Sequence, residues 1–542
     1  MSDSYSIRIY SEGKELKLIH NKIITIDVML AANKIPSAQL VIADGDIVKQ
    51  QYELSDDDTF KPGNKIKIEL GYLGDAASEA LVFSGIIVKY KFEWNQIAGA
   101  ILVINLKSLA FGLTTKRNSM LFHEMTDTEI IELIIRNSTK YITQFAPTKK
   151  VAKTTTKHKQ MIQYHCTDWD FILMRAQANG LLVLFDYQNN TENISIVEPK
   201  LDSAKTHVFD INGSSIKAFI NNFELEADIR YQYGSAQAIG WDISKLSVIN
   251  KEAEQYNLYQ GNLESVQLAK LIGADQYRLV HLATLEETEL EAWANAKLQQ
   301  SRLKMLSGRF QIQGKSDISL GDSIQIKGVP EYFIIRSIIT GIRHQFSNES
   351  GWLTHIQFGF PTNELFADDD IIDKPAANLL PAVTGLQVAT ILGYEKEKNP
   401  QFLVKINLPI FDKKDDVVLA RLISPYASKK KGLVFRPEVG DEVVVGFFNN
   451  DPRYPVILGS MHSEKNSPPI EMSEENTKKG IVIDENLHLL IDAEEGKVGF
   501  YIESKNAKLN LTEKGMIASI NNDIKIESPN QVTIKGNSIE FE

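Results

Sequence analysis

From residue 4 to about residue 108 apolar and polar side chains alternate, as in Ile24-Thr-Ile-Asp-Val28 and Lys65-Ile-Lys-Ile-Glu-Leu70. That is the period of strands with one buried face. Asp44-Gly45 and Pro62-Gly63-Asn64 place turn signals between the runs, which predicts a small β-barrel or sandwich. Helical signals then take over. Thr126-Asp-Thr-Glu129 is a capping box ahead of Ile130, Ile131, Ile134 and Ile135, and Thr167-Asp-Trp-Asp170 opens a segment that Gly180 closes. Thr284-Leu-Glu-Glu287 predicts a third capping box, for a long helix reaching about Met305. Strand alternation resumes from Gly308 to Phe360.

The remaining chain divides by composition. Residues 366–383, beginning Phe366-Ala-Asp-Asp-Asp and carrying Pro375, have no usable period and read as a linker, with Asp368-Asp-Asp370 a solvated acidic run rather than a calcium loop. Residues 384–463 alternate again as a compact barrel would, and the polar stretch 464–479 links them to the last segment. In residues 480–542 alternation is nearly pure (Ile481/Ile483, Leu509/Leu511, Ile524/Ile526, Val532/Ile534, Ile539/Phe541) and no helical period occurs. Few large aromatics are available there to fill a barrel, so one copy of this strip buries too little by itself. Winding identical copies together as a β-helix or β-prism would supply the missing core and remove strand edges.

A tight turn recurs. Gly63-Asn64, Gly321-Asp322 and Gly440-Asp441 each launch a strand, and Gly85, Gly341 and Gly459 follow on later strands. Glycine supplies positive φ and Asn or Asp tolerates the next position. The repeat predicts three related small barrels, at about 4–108, 308–360 and 384–463.

Composition narrows the function classes. Against 59 basic residues stand 70 acidic ones, a net charge of −11, which disfavours a general nucleic-acid binder. The single cysteine, Cys166, excludes an intrachain disulfide and a multi-thiolate zinc site. The N-terminus, Met1-Ser-Asp-Ser-Tyr-Ser, lacks a secretory signal, so synthesis in the cytoplasm without export by the general secretory route is expected. Ten histidines occur without a His-Glu-x-x-His pair, and neither a nucleophile elbow nor a phosphate-binding glycine loop is present. His165-Cys166 with Asp168 and Asp170 reads as a helix start, and Lys429-Lys-Lys431 as a charged loop tip. No catalytic residue, cofactor or metal site is expected. A secreted β-helical carbohydrate-active or adhesive protein is the alternative reading, but residues 480–542 show no aromatic-lined, acid-bearing face.

Residues 435–462 carry Pro437, Gly440-Asp441-Glu442-Val443, Asp451-Pro452, Pro455 and Gly459. This pattern resembles the OB-fold signature of VgrG-type spike proteins of contractile injection systems. Gln163-Tyr-His-Cys-Thr-Asp-Trp-Asp-Phe171 running to Gly180 is similar to the hub stretch of that family. The resemblance implies a hub over 1–365, an OB-fold domain over 384–463 and a trimeric β-helical needle over 480–542. It implies a homotrimer that fits a hexameric inner tube, contacts baseplate proteins, carries a PAAR-type tip protein and effector cargo, and meets a target membrane transiently. The particle would be of antifeeding-prophage or type VI kind, released or fired from the cell. Phage relatives carry a lysozyme domain before the needle, whereas residues 464–479 leave no room for one. Gly63, Gly321, Gly440, Asp441, Pro452 and Gly459 are expected as structural turn residues, and Ile539 and Phe541 as the docking surface for the tip protein.

Overall fold

The computed structural model describes residues 5–45, 49, 51–95, 99–201, 205–212, 220–256, 264–333, 336–360, 370–395, 401–411 and 416–540. The fold is mainly β and separates into two units, Met1–Gly459 and Ser460–Glu542.

The strand groups expected as two barrels share one thirteen-stranded sheet. The joint is an antiparallel ladder between Ile23–Ala31 and Arg336–Ser347, in register from Gly341 opposite Ala31 to Ser347 opposite Thr25. Arg343 crosses this ladder to pair with Asp27 (Nε to Oδ1, 2.8 Å). Strand alternation identifies which residues point inward but not which strand adjoins which, so this junction had no local signature. Inward residues of both groups, among them Ile26, Leu40, Phe83 and Leu102 with Phe310, Ile339, Trp352 and Phe358, form one continuous core.

Between the two groups lies a helical insert with its own core. Helix α1 (Asp127–Ser138) starts on the expected capping box, with the Thr126 side chain on the Glu129 amide and Glu129 reaching back to the Thr126 amide. In α2 (Asp168–Ala178) Thr167 Oγ1 accepts from the Asp170 amide at 3.0 Å, and Gly180 at φ +68° ends the segment. A short helix, α3 (Ser265–Leu271), has no counterpart among the sequence expectations. The last helix, α4 (Glu287–Leu303), corrects one: its N-cap is Glu286, with no side-chain cap. A tight turn in which the Leu285 amide donates to the Ala283 carbonyl (3.0 Å) buries Leu285 first, and Glu287 pairs with Lys251 (2.7 Å) instead of reaching back to Thr284.

Strands Gln387–Tyr394, Val404–Asn407, Val418–Leu422, Pro455–Ser460 and Glu442–Phe447 close a five-stranded barrel. Val443, Val445, Ile391, Ile406 and Val418 fill it. Among the described residues the hub contributes to that core Ile162, on strand Lys157–Thr167, fully buried among the barrel side chains, with Leu121 and Tyr164 half-buried against it.

In the second unit, Lys478–Asp484, Leu487–Asp492, Gly499–Ser504, Ala507–Thr512 and Gly515–Ile520 form a sequential antiparallel meander. The alternating residues from Ile524 to Ile539 form no strand in the single chain and are exposed. Alternation creates a strand only where a partner offers hydrogen bonds, and one copy offers none here.

Candidate functional site

The three expected turns share one geometry. Each glycine amide donates to a strand carbonyl, and that strand residue's amide donates back to the carbonyl of the following Asn or Asp. Gly63 and Asn64 thus hold Ile87 (2.9 and 3.1 Å), Gly321 and Asp322 hold Ile339 (2.9 and 2.9 Å), and Gly440 and Asp441 hold Ile391 (2.8 and 3.0 Å). The glycines lie at φ +95°, +84° and +96°, where a side chain is strained. Asp322 Oδ2 and Asp441 Oδ2 accept the amides of Ser319 and Glu438 (3.1 and 2.8 Å), closing the turn from inside. Pro452 is the second residue of a turn in which the Tyr454 amide donates to the Asp451 carbonyl (3.1 Å). Gly459 departs from its expected role: it lies inside strand Pro455–Ser460, and a Cβ built there meets nothing within 4 Å. Its counterpart Gly85 is sterically required, since a Cβ would fall 2.2 Å from the Lys107 carbonyl oxygen. Ile539 is exposed; Phe541 lies outside the described residues.

Other sequence candidates take structural places. Cys166 is buried, and burial first, then the charges of Asp373, Asp170 and Asp168, push its thiol well up, the reverse of what a nucleophile needs. Burial raises Asp170 to about 6 while it accepts the Asp373 amide at 3.1 Å, pinning the linker to α2. Lys429-Lys-Lys431 forms the exposed tip of a hairpin, Lys430 at φ +56°. Asp370 pairs with Lys107 at 3.2 Å, and Asp368 and Asp369 lie outside the described residues. Among the described residues there is no His, Cys, Asp and Glu grouping able to hold a metal ion.

What the sequence did not announce is a buried ionic cluster joining helical insert and barrel. Arg175, inside the apolar run of α2, grips Asp127 at the start of α1 with Nε to Oδ1 at 2.7 Å and Nη2 to Oδ2 at 2.8 Å. His158 Nε2 lies 3.1 Å from Asp127 Oδ2. Arg175 Nη2 also reaches Glu289 Oε1 on α4 at 3.2 Å. The barrel inserts Arg453, whose Nη1 donates to the same Glu289 oxygen at 2.7 Å while its Nε and Nη2 hold Asp451 at 3.0 and 2.8 Å. His281 of the hub meets Asp451 Oδ2 at 3.0 Å. All seven side chains are buried. Burial acts to raise the Asp127, Glu289 and Asp451 carboxyls. The guanidiniums of Arg175 and Arg453, with His158 and His281, outweigh it and hold all three below their ordinary values. Neutral contacts extend the joint: Gln160 accepts the Leu419 amide (2.9 Å) and donates to the Arg453 carbonyl (3.1 Å), and Tyr164 donates to Gln387 Oε1 (2.8 Å). A charge inside an apolar helical run, as at Arg175, was the one local hint, since such residues are buried only when paired. The arrangement makes a stiff joint, because removing either partner of a buried pair strands the other.

The meander of the second unit is amphipathic. Residues directly opposite one another share a face. One row, Ile481, Leu489, Ile502, Leu509 and Ala518, and the next, Ile491, Phe500, Leu511 and Met516, run across the strands on the same side. The eight large side chains of these rows are all exposed. The opposite face is mixed: it carries His488, Glu503 and Lys508, linked by Glu503 to Lys508 at 3.2 Å, beside Val482, Leu490, Tyr501 and Ile517. A contiguous apolar surface of this extent marks an interface.

A large hub sheet with a helical insert, a five-stranded barrel locked onto it and an amphipathic strand ladder together define the class of VgrG-like central spike proteins. Comparison with known proteins agrees. Residues 388–462 match the type VI secretion system/phage-baseplate injector OB domain. The chain is 32% identical over 106 residues to the actin cross-linking toxin VgrG1 of Vibrio cholerae serotype O1 (Classical Ogawa), covering 18% of this chain and 10% of that protein. It is 29% identical over 113 residues to the type VI secretion system spike protein VgrG3 of V. cholerae serotype O1 (El Tor Inaba), 19% and 11% of the two chains. The aligned stretch thus spans about a tenth of these curated relatives. The half-lidded Francisella PdpA–VgrG complex superposes with a TM-score of 0.60 at 10% identity, covering 96% of this chain and 88% of that one. Residues 1–348 match the family described as the Alg8 N-terminal domain, and the chain belongs to that family. Of these two relatives VgrG3 carries a spike-protein name, and the toxin activity in the name of VgrG1 is said of that protein.

Proposed function

We propose that this chain is the homotrimeric central spike at the end of the inner tube of a contractile injection machine, exported as part of that machine and driven into the target envelope. The observation that carries the reading is the exposed apolar face of the 478–520 meander. Three such faces turned inward close a prism whose outer wall is the His488, Glu503 and Lys508 side, which favours a β-prism over an intertwined β-helix for this segment. Three copies of a hub built from two related strand groups give six similar units, the number a hexameric tube needs. Further along the needle, Ile524 to Ile539 would pair between copies, and a PAAR-type tip protein would cover Ile539 and Phe541. Inner-tube and baseplate proteins would meet the hub, with effector cargo as a further partner. The test is mass in solution by light scattering. Three times the chain mass of 60.9 kDa is expected, and Leu489→Asp, which places a charge in the apolar face, should return a folded monomer. A monomeric or dimeric wild-type chain would overturn the reading.

A further inference from the structure

Beside the buried ionic cluster, where hub meets barrel, opens a cavity of about 140 Å³. Trp241 and Leu282 of the hub and Leu403, Leu419 and Phe448 of the barrel line it. His158, Glu289 and Arg453 also line it, each fixed by the contacts described above. Charges on the wall pair off: Arg453 with Glu289 at 2.7 Å, and Lys159 with Glu286 at 3.1 Å. Arg421, on strand Val418–Leu422, is different. Among the described residues its guanidinium has no ion-pair or hydrogen-bond partner, and partial burial alone bears on it, acting to lower its pKa. The cavity therefore combines apolar side chains, the polar Gln160, Thr284 and Gln401 among them, with one cation, that of the exposed Arg421, which is not ion-paired. A guanidinium in that position suits a carboxylate, whose two oxygens match its paired N–H groups. A volume close to the about 150 Å³ that holds benzene in an engineered apolar cavity sets the size of the remainder.

We propose that this cavity binds a carboxylate carried on a phenyl-sized apolar group, the carboxylate on Arg421 and the apolar group between Trp241, Leu282 and Phe448. Such chemistry comes from a free aryl acid or from the C-terminal residue of a peptide. Either ligand would touch hub and barrel together and so stabilise their junction. The test uses the full-length protein with 3-phenylpropionate, its neutral amide, and acetyl-Gly-Phe with a free or an amidated C-terminus, followed by titration calorimetry and thermal shift. Both free acids should bind saturably at one per chain and raise the melting temperature, and both amides should bind about tenfold more weakly. Arg421→Gln, at an exposed position, should remove that tenfold preference, Arg421→Lys should restore part of it, and Leu282→Trp should block binding by filling the mouth. Tighter binding of acetyl-Gly-Phe than of 3-phenylpropionate assigns the site to a peptide C-terminus, and the reverse order to a free acid. Equal affinity for acid and amide, undiminished binding by Arg421→Gln, or no saturable binding of either acid at millimolar concentration would overturn the proposal.

Discussion

Replacing Arg453 with Met removes one charge from the hub–barrel joint while keeping much of the side-chain volume, so the cavity contribution is small. The loss falls on two carboxylates. Asp451 forfeits its Nε and Nη2 contacts at 3.0 and 2.8 Å and keeps His281 at 3.0 Å and the backbone amide of residue 453 at 2.9 Å, with no cation locked against it. Glu289 forfeits a 2.7 Å bond and keeps Arg175 at 3.2 Å. Stranding a buried charge in this way costs about 3 to 5 kcal/mol. Native-state hydrogen exchange at Val443 and Val445 reads local opening of the barrel, and that cost corresponds to exchange about two to more than three orders of magnitude faster. The pH dependence should change sign as well. In the wild type the Asp451 carboxyl sits below its ordinary value, so its contribution is complete above the ordinary carboxylate range and is lost only as pH falls through the depressed value. Without Arg453, burial becomes the dominant influence, and the folded state holds a proton that the unfolded state releases. Stability of the variant should then rise as pH falls from 7 toward 5, by at most about 1.4 kcal/mol per unit, whereas the wild-type carboxylate contribution stays flat there. Adding Asp451→Asn should recover part of the loss. A cost below about 1 kcal/mol, or a variant that weakens on acidification, would refute the idea that paired buried charges hold the joint.

Gly440→Val should lower stability by about 1 to 3 kcal/mol through backbone strain alone, because a Cβ there meets nothing within 4 Å. Gly440→Asn should cost less in the same thermal melt. Ile162→Ala should cost about 2 to 4 kcal/mol, and the loss should appear in exchange of barrel amides although Ile162 belongs to the hub. Deleting residues 538–542 should abolish capture of a PAAR-type tip protein in a pull-down while leaving the trimer mass unchanged; full-strength capture would place the docking surface elsewhere.

Local signals settled what local physics controls. Thr126 with Glu129, and Thr167 with Gly180, fixed two helices, because caps satisfy orphan backbone groups within a few residues. Gly63, Gly321 and Gly440 marked turns because only glycine takes positive φ without strain. The motif from Pro437 to Gly459 was enough to expect an OB barrel. Thr284 misled because burial of Leu285 outranked a cap, a competition that sequence spacing does not express. The joining of two strand groups through Ile23–Ala31 and Arg336–Ser347, the capture of Ile162 by the barrel, and the cluster of Asp127, Arg175, Glu289 and Arg453 were decided only in three dimensions. Each depends on residues far apart in the chain, and the energy of a buried charge depends on which partner arrives beside it, something no window of sequence contains.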